Sequence, residues 1–564
     1  MGFVKRNKSN PCCLSIVCAL HSRSARIGTV HRVINPPKWI RLMTLPNLTK
    51  LRFHLIIVVL GILFFIQGYL SQNNKSLTWD EPVFLASGYT YLTRNDFRLN
   101  PEAPPLMQQL AALPLLFLDL NVPGRNDPSW RTGDHFGFAR SFIDMNANRI
   151  ETITTLARLP ILIIGAAFIV LFGSWGFKLF GPWPALGATT LAACSPNLLA
   201  HARLSTTDFG CAALMFAAVY ACWAALDNGR RRAWAICGLT TGLALLTKYT
   251  ALLLGPIIVI LALMHIHRNP GTTLRIFAGL TVAAIVSILI VCAGYNLSFN
   301  PLLYLSGLKR VYSTGAPGYQ YYLLGETSQS PWWYYHLITF FLKTPVPILI
   351  LICTAAAAFL IRTEDRASAS FLIVPAMVMM FVACFDQTNL GFRRILPAVP
   401  FLLLLTGLVP TAFRSRVAKR VYPALVLLSV GTSASAFPHY LSYFNEIAGG
   451  PDRGPFLLDD SNVDWGQDLP ALAQWQKNHS EVGRLKLMYF GNVRPEHYGI
   501  RSIPIPEQDI RFPRPGYYAI SAHNLAWLRK TKARTGEDID WLSKYEPVFR
   551  AGNSIYVYQF SKSQ

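Results

Sequence analysis

Charge is scarce in this sequence: 14% of its 564 residues are Asp, Glu, Lys or Arg, against roughly 25% in an average soluble domain. Acids are the scarcer sign, 29 against 52 basic residues, for a net charge of +23. With 52% hydrophobic residues, so little charge excludes an ordinary water-soluble chain. The basic excess does not point to nucleic acid. It forms no single stripe, and its short clusters between apolar runs follow the positive-inside pattern of membrane proteins. Cysteine is missing from the polar loops: Cys12, Cys13 and Cys18 lie near the N-terminus and the other seven lie inside apolar runs, so no disulfide framework is implied. No Walker-type loop or Rossmann glycine motif stands out, which argues against a nucleotide-sugar donor used in the cytosol. No internal repeat is found, which argues against a secondary transporter.

Long apolar runs are abundant from about residue 53 to residue 437. A membrane-spanning helix needs on the order of 20 mostly apolar residues. Candidate spans fall near 53–71, 155–177, 183–200, 207–226, 232–247, 249–267, 275–295, 344–361, 370–385, 394–413 and 420–437, about eleven in all. With the N-terminus inside, the cytosolic connections carry Lys178, Arg230 to Arg232, Arg268 and Arg275, Arg362 and Arg366, and Arg414 to Arg420. Each is short and basic, so the topology is self-consistent. Leu106–Leu120 is apolar but short and holds Pro114; as a span it would invert every later loop, so a helix lying in the interface is expected.

The organisation that follows is a multi-pass α-helical protein with three further pieces. Residues 1–52 form a cytosolic tail, expected to be disordered, in which Met43 is an alternative start; the apolar stretch Pro11–Leu20 lacks a convincing signal-peptide cleavage site. Outside loops cover about 72–154 and 296–343. Residues 438–564 alternate short apolar runs with polar helical stretches and predict a small α/β domain on the extracytoplasmic side. Trp332, Trp333, Tyr334 and Tyr335 read as an interfacial aromatic belt.

Polar motifs gather at one membrane face. Trp79-Asp80-Glu81 opens the first outside loop, and Asn100-Pro101-Glu102-Ala103-Pro104-Pro105-Leu106 follows. Arg158 sits at the mouth of the second span; His201 to Asp208, including Arg203, bridges the third and fourth. Thr247-Lys248-Tyr249 separates the fifth from the sixth, Lys343-Thr344-Pro345 precedes the eighth, and Gly391-Phe392-Arg393-Arg394 precedes the tenth. Carboxylates are costly at a membrane surface and are functional candidates by default. Acids and bases converging on one face suit a charged, lipid-borne substrate.

This string of motifs resembles glycosyltransferase family 39, the protein O-mannosyltransferases and the aminoarabinose transferases of lipid A. The resemblance rests on Trp79 to Glu81, Glu102 to Leu106, His201 to Asp208 and Gly242 to Tyr249. A further match, Tyr440 to Glu446 through Ser461 to Leu469, is similar to a bacterial subgroup with an extra outside domain. It implies a GT-C fold in a bacterial plasma membrane and transfer of a sugar, with inversion, from a polyprenyl-phosphate carrier to an acceptor hydroxyl. It further implies Asp80 as the catalytic base and Glu81 as its orienter or an acceptor contact. Arg158 and Lys248 are implied at the carrier phosphate, with Arg203, Arg393 and Arg394 as further cations. Glu102, Asp208, His336 and Lys343 complete the candidate site. Relatives often carry Lys or His where this chain has Ala103. Glu102 and His336 are candidate ligands for a divalent metal, although zinc takes three or four. Asp460-Ser461-Asn462-Val463-Asp464 resembles the start of a calcium loop, but Trp465 replaces the glycine and the closing Glu is absent; a turn packing the C-terminal domain onto the catalytic face is expected instead. The competing readings are a secondary transporter or lipid flippase, and a non-catalytic relative in surface-polymer assembly.

Overall fold

The computed structural model describes residues 49–297, 300–313, 320–361, 366–413, 415–535 and 539–561. The expected tail up to residue 48, with Met43, and the loop residues Arg362 and Arg414 lie outside these. Among the described residues six helices are long and apolar enough to cross a membrane: Lys50–Ser71, Ala147–Phe180, Thr207–Asn228, Tyr249–Arg268, Pro270–Ala293 and Arg366–Ala383. A seventh crossing arises if Tyr335–Lys343 and Val346–Ile361, bent by 118° at their junction, form one broken span. The chain is therefore an integral multi-pass membrane protein.

The other four expected spans are helical but shorter, broken or charged. Pro182–Ala193 stops after 12 residues, just ahead of Pro196, since a residue before proline is pushed out of the α region. Arg231–Leu245 has 15 residues and opens on two arginines. Residues 396–412 break into the short helices Val399–Leu405 and Leu408–Ala412 after a 3-10 turn. Arg416–Ala436 is long enough, at 21 residues, but starts with Arg416, Lys419 and Arg420. The expected interfacial segment is a short helix, Leu106–Ala112, continued by the 3-10 turn Leu113–Phe117, with Leu113, Leu116 and Phe117 exposed.

The first outside loop has its own core. Leu85, Leu115, Phe138, Phe142 and Ile153 are fully or almost fully buried together, joining the helices Glu81–Arg94, Leu106–Ala112 and His135–Met145 to the start of the helix Ile150–Phe180. Gly88 lets two of them touch: a Cβ there would come within 2.0 Å of the Gln108 carbonyl oxygen. The helix that begins beside Asp80 is thus fixed along its length.

Beyond the last long helix lies a five-stranded mixed sheet of β3 (Leu485–Met488), β4 (Ser502–Pro504), β5 (Gly516–Ser521), β6 (Phe549–Ala551) and β7 (Ile555–Phe560). A two-stranded ribbon, β1 (Tyr321–Leu323) with β2 (Glu326–Ser328), precedes it in the second outside loop. The five strands run in the order β4-β3-β5-β7-β6, with β3 parallel to β4 and β5, and β7 antiparallel to β5 and β6. Tyr518, Ile520, Tyr556 and Tyr558 fill one face; Leu485, Ala519, Ile555 and Val557 fill the other, against Leu469 and Leu472. Burial of both faces explains the near-continuous apolar runs in these strands.

Between the helices and this sheet runs a connection, residues 459–468, that is unusually rich in buried acid: Asp459, Asp460, Asp464 and Asp468 are each at most 7% exposed. Asp464 is wholly buried and accepts hydrogen bonds from the backbone N–H of Gly466 (3.0 Å) and His523 (3.2 Å). Burial outweighs these donors and lifts its pKa from 3.8 to about 7. The folded protein therefore keeps a proton that the unfolded chain releases near pH 4. The stability tied to this group is complete below pH 4 and is lost as pH rises to about 7, at no more than about 1.4 kcal/mol per unit. The thermal unfolding midpoint in detergent from pH 4.5 to 7.5 is expected to fall more steeply with pH in the parent than in Asp464→Asn. Matching slopes in the two proteins would mean that Asp464 is ionised in the fold.

Candidate active site

Asp80 stands at the N-terminus of the helix Glu81–Arg94, with Pro82 in its first turn. Its side chain makes no capping hydrogen bond, although Asp is a favoured cap. The carboxylate turns outward instead, and Arg393 Nη1 donates to its Oδ2 at 2.6 Å. Arg393 reaches it from the 3-10 turn Phe392–Arg394, launched by Gly391 at φ +84°. Burial works against the charge on Arg393, but Asp80, Asp208 and Asp460 around it hold its proton more firmly than usual.

A second ion pair faces the first. Asp208 lies in the first turn of the helix Thr207–Asn228, where a negative charge is favoured. Lys248 sits in extended backbone between the helix Arg231–Leu245 and the 3-10 turn Tyr249–Leu253, and its Nζ donates to Asp208 Oδ1 at 2.5 Å. The hydroxyl of Tyr249 donates to the Pro101 carbonyl at 3.1 Å, and the Leu106 N–H to the Leu246 carbonyl at 3.0 Å. The Glu102 loop is thereby tied to the break that displays Lys248.

Asp80, Glu102, Asp208, Lys248, Arg393 and Arg394 all line one cavity of about 360 Å³. Two lining groups carry no signal in the sequence. His135 stands at the start of the helix His135–Met145, and burial lowers its pKa below the usual histidine value, with Glu102 opposing. Phe84 lies one turn beyond Asp80. Arg310, 3.5 Å from Glu102, sits in a larger neighbouring cavity; its only cue is its place in the second outside loop.

Five expected site residues do not reach the cavity. Glu81 is fully buried and accepts from Arg158 Nε and Nη2 (2.8 and 2.6 Å), from the N–H and hydroxyl of Thr78 (2.7 and 3.0 Å) and from the Ser205 N–H (2.8 Å). Burial raises its pKa, but Arg158 and these donors more than reverse that, leaving it below the usual carboxylate range. An acceptor contact for Glu81 and a carrier-phosphate contact for Arg158 are therefore corrected: the two groups hold each other beneath the site. Arg203 is spent on the carbonyls of Ser71 and Pro438. Lys343 is buried and donates to the carbonyls of Leu441 (2.9 Å) and Asn462 (2.5 Å). His336 is fully buried and, among the described residues, neither of its ring nitrogens has a hydrogen-bond partner. Glu102 pairs with Arg310 rather than with His336. No three His, Cys, Asp or Glu groups among the described residues are placed to hold a metal ion.

Residues 151–293 match the family model described as dolichyl-phosphate-mannose-protein mannosyltransferase. The apo structure of ArnT from Cupriavidus metallidurans superposes with a TM-score of 0.51 at 13% identity, over 89% of this chain and 97% of that one. The apo oligosaccharyltransferase of Archaeoglobus fulgidus gives a TM-score of 0.47 at 12% identity, over 88% of this chain and 72% of the other. A sequence search of curated proteins finds no match. The chain has the GT-C fold, and residues 151–293 carry the expected resemblance to the mannosyltransferase family.

Proposed function

We propose that this chain is a glycosyltransferase that takes a sugar from a polyprenyl phosphate and transfers it to an acceptor hydroxyl, at a site open to the extracytoplasmic face of a bacterial plasma membrane. One observation carries the reading: the uncapped Asp80 carboxylate, held by Arg393, opens into the same cavity as Lys248 and Arg394. A base for the acceptor and cations for the departing phosphate are the two requirements of the reaction, and both face one space.

Asp80 accepts the proton as the acceptor oxygen attacks the anomeric carbon, and the bond from that carbon to the phosphate oxygen breaks on the opposite side. The electron pair leaves with polyprenyl phosphate, and Lys248, Arg393 and Arg394 offset the charge that develops there. Asp208 and Asp80 keep Lys248 and Arg393 in place. The family match, whose name specifies a dolichyl-phosphate-mannose donor, supports a lipid-linked sugar. The short basic connections Lys178, Arg230 to Arg232 and Arg268 support the assignment of the opposite face to the cytosol.

The test is reconstitution of the purified chain with short-chain polyprenyl-phosphate mannose and a cell-envelope extract, following release of free polyprenyl phosphate. Release that depends on the extract is expected. No release across several hexoses and extracts would overturn the reading.

A further inference from the structure

The buried connection 459–468 touches both halves of the Asp80–Arg393 pair, which lie 313 residues apart in sequence. On the Asp80 side it is hydrogen-bonded to residues 76–79. The Ser76 N–H donates to the Gln467 carbonyl and the Trp79 N–H to the Trp465 carbonyl, both at 2.9 Å, while the Ser76 hydroxyl donates to the Gly466 carbonyl at 2.6 Å. On the Arg393 side, the Phe392 N–H donates to Asn462 Oδ1 at 3.0 Å and the Ser461 hydroxyl to the Leu390 carbonyl at 3.2 Å. A Cβ on Gly391 would meet Ser461 Oγ at 2.3 Å, so the turn and the connection are in direct contact.

Trp465 lies between the two attachments. It is 1% exposed, and the Arg393 guanidinium sits over its ring at 4.5 Å from the centroid. Arg393 Nε donates to the Leu390 carbonyl at 3.1 Å and Nη1 to Asp80. The guanidinium is thus fixed in its plane by two hydrogen bonds and across its plane by an indole face. A planar cation over an aromatic ring is attracted by the ring's quadrupole, an interaction that an aliphatic side chain of similar bulk does not supply.

We propose that the connection 459–468 sets the spacing and orientation of the Asp80–Arg393 pair, and that Trp465 is the positioning residue for Arg393. Its catalytic consequence rests on the transferase reading above; the placement of the guanidinium does not. On this proposal the C-terminal sheet domain is part of the catalytic unit through one element, rather than an appended module.

Full-length parent, Trp465→Phe and Trp465→Leu separate this role from simple packing. Three quantities are read: kcat and KM for release of carrier from short-chain polyprenyl-phosphate mannose, the unfolding midpoint, and the rate at which phenylglyoxal modifies Arg393, followed by peptide mass spectrometry. The expected result is a kcat lower by about 10- to 10²-fold in Trp465→Leu, as for a misplaced catalytic group, with KM changed much less. Arg393 is modified faster in that variant, and Trp465→Phe, which keeps a ring, stays near the parent in both. Asn462→Ala, which removes the acceptor for the Phe392 N–H, is expected to give the same signature should Trp465→Leu fail to fold. Equal kcat and equal Arg393 modification across parent and variants would overturn the proposal, as would a lowered midpoint with both readouts unchanged. A parent that releases no carrier overturns the transferase reading alone; faster modification of Arg393 in Trp465→Leu then still upholds its placement by Trp465, and unchanged modification removes it.

Discussion

Replacing Asp80 with asparagine is expected to cut carrier release by about 10²- to 10⁴-fold, the range associated with loss of a general base. The prediction is sharp because the substitution should alter little else. The Asp80 side chain makes no helix cap, so no capping energy is lost. Asparagine keeps an oxygen for the 2.6 Å hydrogen bond from Arg393. The ability to take a proton disappears, together with the negative charge that pairs with Arg393. Steady-state release and an unfolding midpoint, measured on the same preparations, check it: the rate should collapse while the midpoint holds. An Asp80→Asn protein retaining a tenth or more of the parent rate would remove Asp80 as the base without removing the fold or the carrier. Donor affinity should change little if the carboxylate acts only on the acceptor proton, so most of the loss belongs in kcat.

How much of this was legible in the sequence depends on what each feature requires. Apolar runs long enough to span, such as Lys50–Ser71 and Thr207–Asn228, announce themselves by composition. Short ones do not, because hydropathy ignores the breaks at Pro196 and at Thr406-Gly407 that divide them. The cavity's membership was half visible: Asp80, Glu102, Asp208, Lys248, Arg393 and Arg394 share a predicted face, and the fold brings them to one space. What the sequence hides is direction. Asp80 and Glu81 are neighbours, yet successive residues at a helix start project about 100° apart. One carboxylate faces the cavity and the other faces Arg158 in the interior. Nor can spacing reveal that Arg393 is the partner of Asp80, since 313 residues separate them, and the connection 459–468, which hydrogen-bonds to the segments carrying both, lies farther still along the chain. His135 is invisible for a similar reason: a single histidine in a polar loop becomes a lining group only when the loop folds on its own core.

The pair beneath the site makes the other large effect. Glu81 and Arg158 are both fully buried, and Glu81 accepts five hydrogen bonds from Arg158, Thr78 and Ser205. Removing one partner strands the other's charge, at a cost of about 3–5 kcal/mol, whereas replacing both by apolar groups of similar size is often close to neutral. Glu81→Ala should therefore unfold at a markedly lower temperature and give little folded protein, and Arg158→Ala should do the same. Glu81→Leu combined with Arg158→Leu should recover a large part of that loss, although the N–H groups of Thr78 and Ser205 remain without their acceptor. Glu81→Leu, Arg158→Leu and the double variant, compared with the parent, form a double-mutant cycle in unfolding free energy, with a strongly favourable coupling expected between the two sites. A phosphate-binding Arg158 predicts something else: Arg158→Ala would keep its midpoint and raise the KM for the polyprenyl-phosphate sugar, and the second substitution would rescue nothing. Because Arg158 donates through Nε and Nη2 to Glu81 and to the Ser76 carbonyl, at 2.8 Å, behind the segment that leads to Asp80, the stability outcome is the one expected. The activity lost with it should follow the fraction of protein left folded.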